Sequence, residues 1–145
     1  MDARPAILVV EDDDLVRSFL CRALLGVAGD VDSCATGADA GQAVDRRRYG
    51  AILLDGLLPD IHGIDLGRLL VAHANATHSG LCFVSGSLRR PLPLVGGVSG
   101  LPKPLRLGEL VARVEELLAW HATAGSPLAE RLDALDAVGA DLMVG

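Results

Sequence analysis

Polar side chains that follow three apolar segments of this sequence could together bind a metal ion and a phosphoryl group. Glu11 and Asp12 follow the first segment, Asp55 follows a central one, and Lys103 follows the last. Carboxylate oxygens are the ligands that Mg²⁺ prefers, and a lysine ammonium group can neutralise phosphoryl oxygens. A carboxylate at the end of a buried strand lies where α/β sheets place their ligands.

The apolar segments alternate with helical patterns, which predicts a doubly wound α/β fold. Strands are expected at residues 6–10, 30–35, 51–54, 81–84 and 101–102, and helices at about 15–24, 37–48, 64–71 and 106–120. We therefore predict a five-stranded parallel sheet with helices on both faces. Because parallel strands end at one edge of the sheet, Glu11, Asp55 and Lys103 should meet there.

The segment from residue 88 to residue 100 breaks this alternation, although a fourth helix is due there. It contains two prolines and three glycines, and residues of these types oppose a regular helix. We expect that helix four is short or is replaced by a loop.

A last helical pattern follows Gly125-Ser126-Pro127 and runs from residue 128 to residue 138. We expect one domain over residues 1–122 and a C-terminal tail with a short helix over residues 123–145. Three roles stay open for this helix: packing on the domain, dimerisation, or the start of a longer chain.

Composition excludes several classes of protein. The chain has 145 residues, of which 50% are hydrophobic and 22% charged, as in one globular domain. The formal net charge of −6 argues against a nucleic-acid-binding surface. No segment approaches the roughly 18–20 apolar residues that span a bilayer. The three cysteines form no Cys-x-x-Cys pair, which argues against zinc and favours a reducing cytoplasm.

The set Glu11-Asp12, Asp55, Ser85 and Lys103-Pro104 resembles the receiver domain of bacterial response regulators, the CheY-like proteins. The likeness covers about residues 6–120. It implies a CheY-like, flavodoxin-like fold, and it implies that Asp55 accepts a phosphoryl group from a histidine kinase or a histidine phosphotransfer protein.

The same resemblance implies a Mg²⁺ site. Glu11 and Asp12 would hold the ion, directly or through water, together with Asp55 and the backbone carbonyl of Leu57. Clustered carboxylates repel one another, so a cation is needed to keep all of them ionised.

The resemblance also implies residues that act on the phosphoryl group. Lys103 would contact its oxygens, and the hydroxyl of Ser85 would turn toward it after transfer. The amide of Gly86 could add to charge neutralisation, and nothing on that residue would crowd the group. The Lys103-Pro104 peptide bond is expected to be cis, which would aim the lysine inward.

Two features depart from most receivers. Gly100 stands where most of them carry Tyr or Phe, whose rotation reports phosphorylation. Phe83-Val84-Ser85-Gly86 instead resembles a single-domain subgroup with Phe-x-[Ser/Thr]-Gly at the end of strand four and a mobile loop for helix four. We expect ordering of the loop over about residues 85–97 to be the switch.

Leu57 lies two residues after the phosphoacceptor and Ser87 two residues after Ser85. In the family these positions flank the path of the hydrolytic water. An apolar Leu57 offers no group to orient that water, so we expect a long-lived phosphoaspartate.

We therefore predict a stand-alone receiver that signals by altered protein–protein binding. About 25 residues follow Trp120, too few for a DNA-binding or enzymatic output domain. The chain is expected to be cytoplasmic, a monomer or weak homodimer, with no nucleic acid or membrane partner. It would not be an enzyme beyond weak self-catalysed phosphotransfer and dephosphorylation.

Alternative functions differ in what they require. A phosphorylation-independent pseudo-receiver would lack the acids, the phosphoacceptor or the lysine, and all are present. A receiver cut from a hybrid histidine kinase stays open. A hydrolase of the haloacid-dehalogenase type would need a second aspartate where this chain has Leu57.

Overall fold

Six strands form a single sheet in the computed structural model, which describes residues 4–142. They are β1 (Ile7–Val10), β2 (Val31–Cys34), β3 (Ala51–Asp55), β4 (Gly80–Ser85), β5 (Leu92–Val95) and β6 (Val98–Pro102). Their order across the sheet is β2-β1-β3-β4-β6-β5, and every neighbouring pair is parallel except β5 with β6. The predicted doubly wound α/β fold is confirmed.

Five helices cover the two faces of the sheet. They are α1 (Asp14–Leu24), α2 (Gly37–Arg46), α3 (Gly63–Ala72), α4 (Leu107–His121) and α5 (Leu128–Leu142). One apolar core lies between the sheet and α2, α3 and α5, and the other lies between the sheet and α1 and α4. Within residues 4–142, no helix is both long and apolar enough to cross a membrane.

The register of the central strands brings their ends to one level. Val10 pairs with Leu54, and in the next ladder Asp55 pairs with Val84. Ser85 pairs with Pro102, the residue before Lys103. β1 is buried at every position, and so is β4, as expected for strands that are covered on both faces of a parallel sheet.

The segment that interrupts the sequence pattern is an antiparallel edge strand. The helix expected to be lost is absent between β4 and β6, but β5 takes its place where a loop was expected, so the sheet has six strands and not five. Gly96 and Gly97, with φ of 58° and 72°, form the two-residue turn of a β-hairpin. Pro93 is tolerated because β5 lies at the edge of the sheet.

The C-terminal helix α5 occupies the part of the sheet face that the missing helix leaves free. It is longer than expected, ending at Leu142 and not near residue 138, and it packs on α3 and β6. Gly67 permits the close approach, since a Cβ atom there would lie 2.9 Å from Cδ2 of Leu135 and 3.1 Å from Cζ of Phe83. Of the three roles left open, the structure shows the first, packing on the domain.

Candidate functional site

Three carboxylates meet at the carboxyl edge of β1 and β3. Glu11, Asp12 and Asp55 each place an oxygen atom within 4.8 Å of the others. Glu11 is 1% exposed, whereas Asp12 is exposed and Asp55 half-buried. Two apolar strands that end side by side thus bring the predicted acids together.

The turn after β1 is fixed by its own acids. Asp13 caps α1, since its Oδ1 accepts hydrogen bonds from the N–H groups of Leu15 (2.9 Å) and Val16 (3.0 Å). The N–H of Asp13 in turn donates to Oε2 of Glu11 at 3.2 Å. This leaves Oε1 of Glu11 directed at the rest of the site.

The loop after Asp55 is held close to the strand. The N–H of Leu57 donates to Oδ1 of Asp55 at 3.3 Å, and that of Gly63 donates to the carbonyl of Gly56 at 2.9 Å. A Cβ atom on Gly63 would overlap the carbonyl oxygen of Asp55, so a glycine is required there. The side chain of Leu57 is 71% exposed.

Lys103 reaches the acids from the end of β6. Its Nζ lies 2.7 Å from Oε1 of Glu11 and 3.6 Å from Oδ2 of Asp55. Its N–H donates to the carbonyl of Ser85 at 3.0 Å, and the Lys103–Pro104 peptide bond is cis as expected. Lys103 is also the single lysine of the chain.

Ser85 ends β4 on the other side of Asp55, and Gly86 follows it. Ser85 is 5% exposed, and its Oγ accepts a hydrogen bond from the N–H of Ser87 at 3.1 Å. A Cβ atom on Gly86 would have no neighbour within 4 Å. The mouth of the site is therefore open at Gly86.

The electrostatics of the cluster favour a bound cation. Burial raises the pKa of Glu11 to about 7, and the Asp55 carboxylate adds to the rise, whereas Lys103 opposes it. Burial lowers the pKa of Lys103, but Glu11 and Asp55 outweigh that effect and leave the pKa above its ordinary value. Although Nζ is close, Oε1 of Glu11 accepts no well-oriented hydrogen bond. This oxygen-only donor set suits a magnesium ion.

The sequence did not predict that Leu142 would lie at the site. A Cβ atom on Gly56 would lie 3.1 Å from Cδ2 of Leu142 and 3.1 Å from Oγ of Ser85. The last turn of α5 thus reaches the residue next to Asp55. Helical periodicity predicts that α5 exists. The surface on which α5 packs is exposed only because a strand, β5, replaces the usual fourth helix.

An apolar cleft borders the lysine on the outer surface. Leu15, Phe19 and Leu105 line it together with Lys103 and Pro104. Leu15 is 83% exposed and Phe19 is 40% exposed. An open apolar surface beside a charged site is a feature of protein-binding surfaces.

Comparison with known proteins matches residues 7–115 to the model of one family, the response regulator receiver domain. The chain belongs to this family. Its members are signalling proteins of two-component systems, and receiver domains bind Mg²⁺ at an acidic site of this kind.

A curated relative shows how much of a longer protein the receiver covers. The transcriptional regulatory protein CutR of Streptomyces coelicolor is 32% identical over 127 residues, which are 86% of this chain and 58% of CutR. The chain spans about half the length of the curated relatives it matches.

Solved structures share the fold. A sensor protein from Polaromonas sp. superposes with a TM-score of 0.70 and 28% identity, over 82% of this chain and 99% of that one. The receiver domain of a sensor histidine kinase from Pseudomonas aeruginosa, with a magnesium ion coordinated in its active site cleft, has a TM-score of 0.66 and 26% identity, over 83% of this chain and all of that one.

Proposed function

We propose that this receiver accepts a phosphoryl group on Asp55 from a phosphohistidine of a histidine kinase or phosphotransfer protein, and that it signals by altered protein binding. The observation that carries this proposal is the convergence of Glu11, Asp12 and Asp55 with Nζ of Lys103. The apolar cleft beside Lys103 supports a protein, and not only a small molecule, as the donor.

The proposed transfer balances without a further reactant. A carboxylate oxygen of Asp55 attacks phosphorus, an O–P bond forms, the P–N bond to the donor histidine breaks, and the leaving imidazole takes a proton from solvent. Catalysis then consists of alignment and charge neutralisation. Lys103 supplies one positive charge, and the N–H of Leu57 already holds one carboxylate oxygen in place.

Magnesium fits the residues present. We propose that Glu11, Asp12 and Asp55, with the backbone carbonyl of Leu57, hold it directly or through water. Bound there, the ion would neutralise phosphoryl oxygens and screen the carboxylates from one another. The buried Oε1 of Glu11, close to Nζ of Lys103 but without an oriented donor, supports this assignment.

Ser85 and Gly86 would act on the phosphorylated form. The hydroxyl of Ser85 now accepts from Ser87, and its proton is free to be donated to a phosphoryl oxygen once the side chain turns. The open space at Gly86 accommodates the group, and the amide there supports its charge. Self-catalysed transfer and dephosphorylation would remain weak.

Intact mass after incubation with acetyl phosphate and Mg²⁺ tests the function. Wild type should gain the mass of one phosphoryl group, and Asp55→Asn should gain none, because an amide is not a competent nucleophile. No gain in wild type despite Mg²⁺ binding would point to dependence on the histidine donor. No gain and no Mg²⁺ binding would favour a phosphorylation-independent module.

A long phosphoaspartate lifetime is expected from Leu57. Its side chain is 71% exposed and offers no hydrogen-bonding group to orient an attacking water near Asp55. Leu57→Asn should therefore shorten the half-life severalfold, measured by the decay of the phosphorylated mass. Leu69→Asn is the matched control, since Leu69 is an exposed leucine of α3. A half-life of seconds that Leu57→Asn leaves unchanged would contradict this account.

The subgroup assignment remains part of this proposal. Phe83-Val84-Ser85-Gly86 and the absent fourth helix support membership of the Phe-x-[Ser/Thr]-Gly receivers. In place of a loop over residues 85–97, however, the chain forms β5 and its hairpin. A Cβ atom on Gly100 would lie 2.8 Å from Cδ1 of Leu88, so leucines fill the position of the usual aromatic residue.

The wider context is proposed from the same features. We assign residues 1–122 to the receiver and 123–145 to a C-terminal segment, of which residues 143–145 lie outside the described part. The net charge of −6 supports a downstream protein target and not nucleic acid. A cytoplasmic location and a monomer or weak homodimer complete the proposal, and a receiver from a longer hybrid kinase stays compatible with it.

A further inference from the structure

The end of α5 touches the phosphorylation site. Leu142 is 8% exposed, and its Cδ2 would lie 3.1 Å from a Cβ atom on Gly56. Oγ of Ser85 would lie at the same distance from that atom. The side chain of Leu142 therefore shares its surroundings with Gly56, the residue after Asp55, and with the hydroxyl of Ser85. A group added to Asp55 would change the environment of the helix end.

The charges at this helix end oppose an added anion. The last turn of α5 contains Asp141 and no basic residue, and a helix C-terminus carries roughly half a negative elementary charge. Arg89 and Arg90 line a cleft with Asp141 and offset part of this charge. A phosphoryl group adds about −1.5 to −2 charge, and such a group beside a helix C-terminus or an aspartate destabilises it.

The start of α5 is held far more firmly. Arg131 is fully buried and donates to the carbonyl oxygens of Thr77, Ser79, Gly96 and Gly97. Its guanidinium carbon also lies 4.6 Å from the centroid of the Trp120 ring. Because α5 is fixed by hydrogen bonds at its first turn and by apolar contacts at its last turn, the last turn is able to detach while the first turn stays in place.

We propose that a phosphoryl group on Asp55 undocks the last turn of α5, while Arg131 keeps the first turn in place. This inference rests on the proposed function of Asp55. Repulsion of the helix end and the cost of placing Leu142 beside a hydrated anion act in the same direction. The undocked turn frays, since most helical stability in proteins comes from packing.

Hydrogen exchange of the full chain tests the undocking directly. With Mg²⁺ and beryllofluoride, a tetrahedral mimic of an aspartyl phosphate, the amides of residues 138–142 should exchange faster. Those of residues 129–134 should keep their protection, and the site segments after β3 and β4 should gain protection. Unchanged exchange at 138–142, with beryllofluoride bound, would overturn the inference.

Two substitutions with matched controls test the coupling from the other side, because coupling between two sites is reciprocal. Leu142→Ala loosens the docked turn and should tighten beryllofluoride binding severalfold, as followed by fluorine NMR. Leu128→Ala removes an exposed leucine from the distant end of α5 and should change nothing.

Gly139→Ala should act in the opposite direction. A Cβ atom there would contact Ile64 of α3 at 3.4–3.7 Å, and alanine favours the helix, so docking strengthens and binding weakens by roughly two- to fivefold. Gly41→Ala is the control, since it adds the same preference in α2 with no neighbour within 4 Å. If Leu142→Ala and Gly139→Ala change the beryllofluoride affinity in the same direction, the coupling is contradicted.

Failure of the inference and failure of the proposed function give different results. If acetyl phosphate adds a phosphoryl group but residues 138–142 and the variants show no response, Asp55 is a phosphoacceptor that α5 does not sense. If neither acetyl phosphate nor beryllofluoride acts in wild type, both the phosphoacceptor and the undocking are wrong.

Discussion

Arg131→Met should destabilise the protein by about 2–4 kcal/mol, because the buried hydrogen bonds to the carbonyls of Ser79 and Gly97 lose their donor at about 1–3 kcal/mol each, and removal of a buried charge offsets part of this loss. The guanidinium donates to four carbonyls, including those of Ser79 at 2.6 Å and Gly96 at 3.0 Å. Burial lowers the pKa of Arg131 to about 10. A drop in the urea midpoint at unchanged slope would measure the loss.

Arg68→Met is the matched control for that experiment. Arg68 of α3 also reaches α5, through an ion pair with Asp136 at 2.9 Å, and it pairs with Asp65 of its own helix, but its side chain is 47% exposed. Exposed pairs contribute roughly 0–1 kcal/mol, so this variant should unfold close to wild type. Equal midpoints for the two variants would mean that the buried guanidinium does not hold α5.

Arg131→Lys should not restore the stability. An ammonium group carries three donors on a flexible stem, whereas the planar guanidinium carries five in a fixed fork. The carbonyls of Thr77 and Ser79 lie in the turn that precedes β4, and those of Gly96 and Gly97 lie in the hairpin turn. The arginine therefore ties two parts of the chain to α5, and one lysine nitrogen does not span both.

The fold was predictable where local pattern alone decides it. Apolar runs such as Ile7–Val10 that end in acids identified the parallel strands and the edge at which Glu11, Asp55 and Lys103 meet. Alternation of strands with amphipathic segments gave the doubly wound order. These features depend on neighbouring residues and on the handedness of crossover connections.

The sequence carries two signals over residues 88–100, one for a loop and one for a β-hairpin. Prolines and glycines over residues 88–100 oppose a helix, and that part of the expectation is confirmed. Gly96-Gly97 between two short apolar runs is also a hairpin signal, since both residues take positive φ in such a turn. The density of helix breakers predicts a loop, whereas the position of the two glycines between apolar runs predicts the hairpin that forms.

The position of α5 could not be read from its own residues. An amphipathic pattern shows that one face must be buried, but not against which surface. That surface exists because β5 replaces a helix, and because Gly67 lets Leu135 approach Phe83. Sequence periodicity does not report such non-local contacts, so it does not predict that Leu142 lies beside the site.

Lys103→Met should slow phosphorylation of Asp55 by acetyl phosphate about 100-fold, which is typical for the loss of one preorganised charge that stabilises a transition state. The chain has 13 basic residues, and Lys103 is its single lysine. The ammonium group places a compact charge 2.7 Å from Oε1 of Glu11 and 3.6 Å from Oδ2 of Asp55, whereas a guanidinium spreads its charge over a planar fork. Lys103→Arg should therefore fail to restore the rate.

The same substitution should not weaken Mg²⁺ binding. Nζ of Lys103 lies 2.7 Å from Oε1 of Glu11, where it acts as a competing cation, so its removal should tighten Mg²⁺ binding in a calorimetric titration. Arg106→Met, which removes an exposed cation three residues further on, should leave both rate and affinity unchanged. If Lys103→Met loses both Mg²⁺ binding and phosphorylation, the lysine organises the acids. If the phosphorylation rate is unchanged, the lysine takes no part in the transfer. A slow rate with tighter Mg²⁺ binding would separate the two charges: the ion would be held by the carboxylates, and the lysine would act on the phosphoryl group.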